Sequence, residues 1–133
     1  MAVRCLIVDD STAFLRAAWT ALDGEEITVV GVATTTADAL ARTEELRPDV
    51  VLIDIALGGE SGFTLARRID EWARGRPAAE AVPLLVMIST HAGEDFAELV
   101  AASPAVGFVG KADLSAPAVQ ELIRRQKANA TGR

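Results

Sequence analysis

The sequence has no tyrosine, a single cysteine and a single histidine, and each shortage removes a class of chemistry. Cys5 has no partner with which to close a disulfide inside the chain, and there is no Cys/His set of the kind that holds zinc. Its place in an apolar run reads as a small core residue. Basic charge is scarce as well: 19 acidic against 13 basic side chains leave a formal charge of −6, which disfavours tracking a nucleic-acid backbone. No apolar stretch approaches the roughly 18 residues of a membrane span, and the start lacks the charged-then-apolar pattern of an export signal. A soluble, cytoplasmic protein is the expectation. Aromatics are only 5% of the residues, so the core is expected to be built of Val, Leu, Ile and Ala.

What is present is an alternation of short apolar runs and helical patterns. The runs are Val3 to Val8, Ile27 to Val32, Val50 to Ile53, Pro83 to Ile88 and Val106 to Val109. Between them lie stripes such as Phe14, Leu15, Ala18, Trp19 and Leu22, whose spacing puts them on one helical face. Thr36 is the expected cap of a helix ending at Leu46, where Arg47-Pro48 stops it. Ser61-Gly62 opens a helix through Ala73, and Ser115 with Pro117 opens the last one. Trp19 and Trp72 read as partial core, Trp72 with exposure beside Arg74 and Arg76 as the alternative.

Runs that are apolar throughout imply strands covered on both faces, hence a parallel sheet between helical layers. The expected fold is an α/β doubly wound (βα)5 sandwich of flavodoxin-like type, with strand order 2-1-3-4-5. At 133 residues one domain is expected, spanning 1–126, with 127–133 as a tail or linker.

The polar residues that end these runs carry the functional signal. Asp9 and Asp10 end the first, Asp54 the third, Ser89 the fourth, and Lys111 follows Phe108 in the fifth. Ligands of open α/β sheets bind outside the carboxyl ends of the strands, so these groups would share one crevice. Oxygen-only ligands favour Mg²⁺ or Mn²⁺ over Zn²⁺. A metal, an ammonium and a hydroxyl suit phosphoryl transfer, with Asp54 as nucleophile. Taken singly, each residue has a plainer reading: a turn or cap for the aspartates and Ser89, a solvated surface lysine for Lys111.

Leu6-Ile7-Val8-Asp9-Asp10, Pro48-Asp49-Val50-Val51-Leu52-Ile53-Asp54, the Gly58-Gly59 and Gly62 loop, Val86-Met87-Ile88-Ser89-Thr90 and Gly107-Phe108-Val109-Gly110-Lys111 together resemble the receiver domains of bacterial two-component response regulators. The resemblance runs from about Val3 to Arg125. It implies that Asp54 accepts a phosphoryl group from a sensor histidine kinase, and that Asp10 ligates Mg²⁺ directly and Asp9 directly or through water. The backbone carbonyl of Ala56 would add a ligand, Ser89 and Lys111 would contact the phosphoryl group, and Phe108 would turn inward. The surface of the fourth helix, fifth strand and fifth helix would then dimerise or meet a target. Val30-Gly31-Val32-Ala33, Ala37 to Leu40 and the lysine without a following proline look most like receivers of LuxR/NarL-type regulators. The chain is then a free-standing receiver or one cut at its linker, without direct nucleic-acid binding and without enzymatic activity beyond its own aspartyl phosphorylation and dephosphorylation.

Four rim positions depart from the family pattern. Gly58 replaces a usual proline and is expected to loosen its turn. Thr90 is expected to narrow access to the site, and His91 reads as a loop histidine or a pH-sensitive gate. Ala112 stands where a proline often follows the lysine, so a trans bond is expected there. These departures keep a second reading open, a receiver-fold interaction module acting independently of phosphorylation. A haloacid-dehalogenase-type phosphatase lacks its Asp-x-Asp signature here, and a flavin carrier would place acids against the flavin phosphate. Arg124, Arg125 and Lys127 opposite Glu94, Asp95 and Glu98 suggest a reciprocal homodimer, or else two solvated faces.

Overall fold

A computed structural model describes residues 2–77, 82–90 and 93–131. Strands β1 (Val3–Val8), β2 (Ile27–Ala33), β3 (Val50–Asp54), β4 (Leu84–Ser89) and β5 (Gly107–Gly110) form one parallel sheet in the order β2-β1-β3-β4-β5. The helices are α1 (Thr12–Leu22), α2 (Thr36–Leu46), α3 (Gly62–Arg74), α4 (Ala97–Ala101) and α5 (Ala116–Thr131). This is the doubly wound architecture expected from the continuous apolar runs.

Successive strand side chains point to opposite faces, so each run feeds two cores. Cys5 and Ile7 of β1, Val50 and Leu52 of β3 and Val86 and Ile88 of β4 pack with Leu15, Ala18 and Leu22 of α1 and Val119 and Ile123 of α5. Leu6, Val8, Val51, Ile53, Leu85 and Met87 pack on the other side with Ala39 of α2 and Leu65, Ala66 and Ile69 of α3. Fully burying a side chain of this size is worth about 1.5–3 kcal/mol. The edge strand β2 breaks the alternation. Cys5 pairs with Val29 and Leu6 with Gly31, which leaves Val30 as an extra residue. Gly31 therefore faces Leu6 and Leu46, where a Cβ would come within 2.9 Å of Leu46 Cδ1.

Side-chain caps start the helices. Ser11 Oγ accepts the Phe14 N–H at 3.2 Å, Ser61 Oγ that of Phe63 at 3.1 Å and Ser115 Oγ that of Ala118 at 3.2 Å. In α2 the cap is Thr35, whose extended backbone lets Oγ1 accept the Asp38 N–H at 3.1 Å, while Thr36 is the first, buried helical residue. Arg47 ends α2 in the left-handed region, and the Arg4 guanidinium donates to the terminal carbonyls of Leu46 and Arg47. Trp19 lies on the outer side of α1 and is 38% exposed, because Leu15, Ala18 and Leu22 already fill the inward face. Trp72 is half-buried with the Arg76 guanidinium 5.3 Å from its ring centre.

The last helix is longer than expected. α5 runs unbroken through residue 126, where a loose tail was expected, to Thr131, because Gln126, Lys127 and Ala128 are good helix formers. The fourth helical segment is a 3₁₀ turn, Gly93–Phe96, followed by a single α-helical stretch of five residues.

Cys5 is fully buried, and desolvation pushes its thiol up to about 12. Native protein should therefore resist iodoacetamide and be alkylated only at the rate of unfolding, as read by intact mass. Because the folded state holds the thiol proton more tightly, stability from this group is present below the ordinary value of 9.0 and falls as pH rises from there towards about 12. Rapid labelling under native conditions would contradict this burial.

Candidate functional site

Parallel register brings the carboxyl ends of the central strands to one edge. Val8 is level with Ile53, Asp54 with Ile88, and Ser89 with Gly110, so the residues that follow or end these strands form a short row. Asp9 extends the ladder by donating its N–H to the Ala33 carbonyl at 3.0 Å. Its side chain is fully buried, and its Oδ1 accepts the Ser11 N–H at 2.8 Å. Asp54 is 7% exposed, and its Oδ1 accepts the Ala56 N–H at 3.2 Å.

Lys111 crosses from the end of β5 to join the two aspartates. Nζ lies 2.5 Å from Asp9 Oδ2 and donates to Asp54 Oδ2 at 3.1 Å. Buried Asp9 Oδ2 has this ammonium as its partner. Lys111 makes both contacts from a trans Lys111–Ala112 bond, with exposed Ala112 in the 3₁₀ turn Lys111–Asp113.

Burial pushes the Asp54 carboxyl above its ordinary value, the Lys111 and Ala56 hydrogen bonds pull it back, and the neighbouring charge of Asp9 adds to the rise. For Lys111 burial works against the charged form, but Asp9 and Asp54 together outweigh it and hold the ammonium above its usual value. The site is rich in acid all the same. Asp9, exposed Asp10 and Asp54 each offer a carboxylate oxygen within 4.8 Å of the others, so three negative charges face one ammonium and leave a formal −2. Crowded oxygen donors with a residual double negative charge fit a hard divalent cation.

The loop after Asp54 is more ordered than glycine content suggests. Ala56–Leu57 and Glu60–Ser61 form a small antiparallel ribbon closed by Gly58-Gly59, and Gly58 takes φ +63°, which suits glycine and forbids proline. The turn at Gly58 is a two-residue hairpin. Gly62 lets the start of α3 pass directly beneath the site: its N–H donates to the Ile55 carbonyl at 2.7 Å, and a Cβ there would sit 2.0 Å from the Asp54 carbonyl oxygen.

The remaining candidate residues divide by position. Ser89 is 5% exposed at the end of β4, and Thr90 beside it is exposed. Phe108 is half-buried and packs against the core beneath α2 and α3 rather than in the carboxylate cluster. His91 lies outside the described residues. One neighbour escaped the motif reading altogether: the ring of Phe14 in α1 faces Lys111 Nζ at 4.4 Å from its centre. Helical spacing marks Phe14 only as apolar, and nothing local to it announces an ammonium that lies 97 residues away in the chain.

Comparison with known proteins places this geometry. The profile of the response regulator receiver domain matches residues 5–124. A protein-glutamate methylesterase/protein-glutamine glutaminase of Symbiobacterium thermophilum is 37% identical over 96% of this chain and 35% of its own length. A homologous protein of that name from Myxococcus xanthus is 35% identical over 98% of this chain and 32% of its own. The chain thus spans about a third of the length of these relatives. Among solved structures, the signal receiver domain of the response regulator NarL from Mycobacterium tuberculosis aligns with a TM-score of 0.73 at 26% identity, covering 99% of this chain and 98% of that one. A LuxR-family two-component response regulator from Aurantimonas aligns at 0.74 and 26%, covering 100% and 88%. The chain belongs to the response regulator receiver domain family.

Proposed function

We propose that this chain is a phosphorylation-controlled switch of a cytoplasmic two-component pathway, accepting a phosphoryl group on Asp54 from a sensor histidine kinase. The observation that carries the reading is the Asp54 carboxylate, nearly buried at a strand end, with one oxygen on Lys111 and the other on the Ala56 N–H. In the transfer, a lone pair of an Asp54 oxygen attacks phosphorus, and the bond from phosphorus to the donor's imidazole nitrogen breaks. Its electron pair stays on that nitrogen, and the product is an acyl phosphate on Asp54. Lys111 and Ser89 hold the equatorial oxygens. Asp9, Asp10, Asp54 and the Ala56 carbonyl hold Mg²⁺, with Mn²⁺ as substitute, and when bound the metal neutralises charge on the transferring group.

The output face in this reading is that of α4, β5 and α5. α4 contributes no buried residue, and Leu99 on it is 54% exposed, so little packing holds it in one position. Phe108 packs against the same core as Val100 of α4, which links the strand next to Lys111 to that helix. A homodimer through this face is part of the proposal, with exposed Asp95 and Glu98 offered to a second copy. Arg124 and Arg125 currently pair with Glu121 of their own helix, and a dimer would exchange those contacts.

Three measurements test the proposal. Native protein incubated with Mg²⁺ and acetyl phosphate should gain the mass of one phosphoryl group, and Asp54→Ala should gain none; no Asp54-dependent gain in excess donor would leave only the phosphorylation-independent module. Mg²⁺ at ten times its Kd should stabilise native protein by about 1.4 kcal/mol, roughly 3–6 °C in thermal midpoint. Asp10→Asn should fold normally and lose that shift, and an unchanged shift would remove Asp10 as a ligand. Thr90→Ala should load from acetyl phosphate faster than native protein, whereas equal or slower loading would show that Thr90 does not obstruct the mouth.

A further inference from the structure

Lysine reaches its partners on a flexible four-carbon stem, so an ammonium that must lie between two particular carboxylates needs something to keep it there. Lys111 Nζ has Asp9 Oδ2 at 2.5 Å and Asp54 Oδ2 at 3.1 Å, and the face of Phe14 at 4.4 Å from the ring centre. That distance is well inside the roughly 6 Å over which an aromatic face attracts a cation. The side chain of Lys111 is 14% exposed in this setting.

The way Phe14 is placed strengthens the case. Ser11 donates its N–H to Asp9 Oδ1 at 2.8 Å, and its hydroxyl accepts the Phe14 N–H at 3.2 Å. One short segment, Asp9 to Phe14, thus orients both the carboxylate and the ring that flank the ammonium. A change in the entry to α1 would displace both together.

We propose that Phe14 is a positioning residue of the phosphoryl-accepting site, which holds the Lys111 ammonium against Asp9 and Asp54 by its aromatic face. The inference rests on the Asp54 reading for its consequence in phosphorylation, but its geometry stands apart from it. Phe14 touches neither the phosphoryl group nor the reacting oxygen. Its ring shields the ammonium from water on the side away from the carboxylates, and remains a partner for it when a phosphoryl oxygen displaces one carboxylate contact. Leucine at this position would retain apolar volume and lose the electron-rich face; tryptophan would retain both.

The chain has only two lysines, Lys111 and Lys127, so ¹³C-lysine labelling gives two sets of ε-methylene signals, assigned by a Lys127→Arg variant and referenced to the urea-unfolded protein. In native protein free of metal and phosphate, the Lys111 ε-protons should be shifted upfield by the ring current, return to the unfolded-chain position in Phe14→Leu, and stay upfield in Phe14→Trp. Thermal melts of each variant establish that it folds. With acetyl phosphate and Mg²⁺, Phe14→Leu should load about five- to tenfold more slowly than native protein, and Phe14→Trp should come within about twofold of it. Unshifted native Lys111 signals, or equal loading by native and Phe14→Leu protein, would overturn the proposal. Equal slowing in the leucine and tryptophan variants would also overturn it, by showing that only packing volume matters. If native protein takes up no phosphate, the Asp54 reading fails, and the metal-free Lys111 signals still decide whether Phe14 holds the ammonium.

Discussion

Three carboxylates meet a single ammonium at the carboxyl edge of the sheet, and the surrounding structure is arranged around that imbalance. Lys111 contacts two of the carboxylates but cancels only one charge, joining Asp9 and Asp54 across strands β1, β3 and β5. What it leaves is a residual negative charge, with an exposed Asp10 beside the buried pair. Such a cluster has more to gain from a divalent cation, and then from an anion bridged by that cation and the ammonium, than a neutral pocket would.

The fold packs the strands that carry the charges densely and leaves α4 with little packing. Both faces of β1, β3 and β4 are buried in dense aliphatic cores, so the aspartates at their ends sit on the least mobile part of the molecule. Gly62 adds to this by letting α3 start in contact with the Asp54 backbone. α4 is the opposite case, a short helix with no buried residue, whose Val100 packs against the same core as Phe108.

Much of this was legible along the chain. The five apolar runs named the strands to within a residue or two, because strands covered on both faces must be apolar throughout. The row Asp9, Asp10, Asp54, Ser89, Lys111 was legible because a parallel sheet sends every strand's end to the same edge. Less visible were features set by competition between neighbours. Thr35 and Thr36 are equally good caps by type, and only the extended backbone at Thr35 selects it. The extra residue Val30 in β2 leaves no compositional trace, since valine suits either side of a bulge. Trp19 is large and apolar, yet α1 had already filled its inward face with smaller residues.

By itself the sequence determined the kind of chemistry: acids, a hydroxyl and a lysine at successive strand ends, on a sheet whose parallel pairing follows from its apolar pattern. Only the tertiary structure decided how those charges are shared. Lys111 lies 57 residues from Asp54 and 102 from Asp9, and chain separation says nothing about which carboxylate its flexible stem will favour. The same holds for the ring of Phe14 against its ammonium and for the glycine that makes room beneath Asp54. Apolar patterning is a periodic signal that the backbone reads locally. The pairing of long side chains depends on distances that exist only after the sheet has assembled and the cores on both faces have closed.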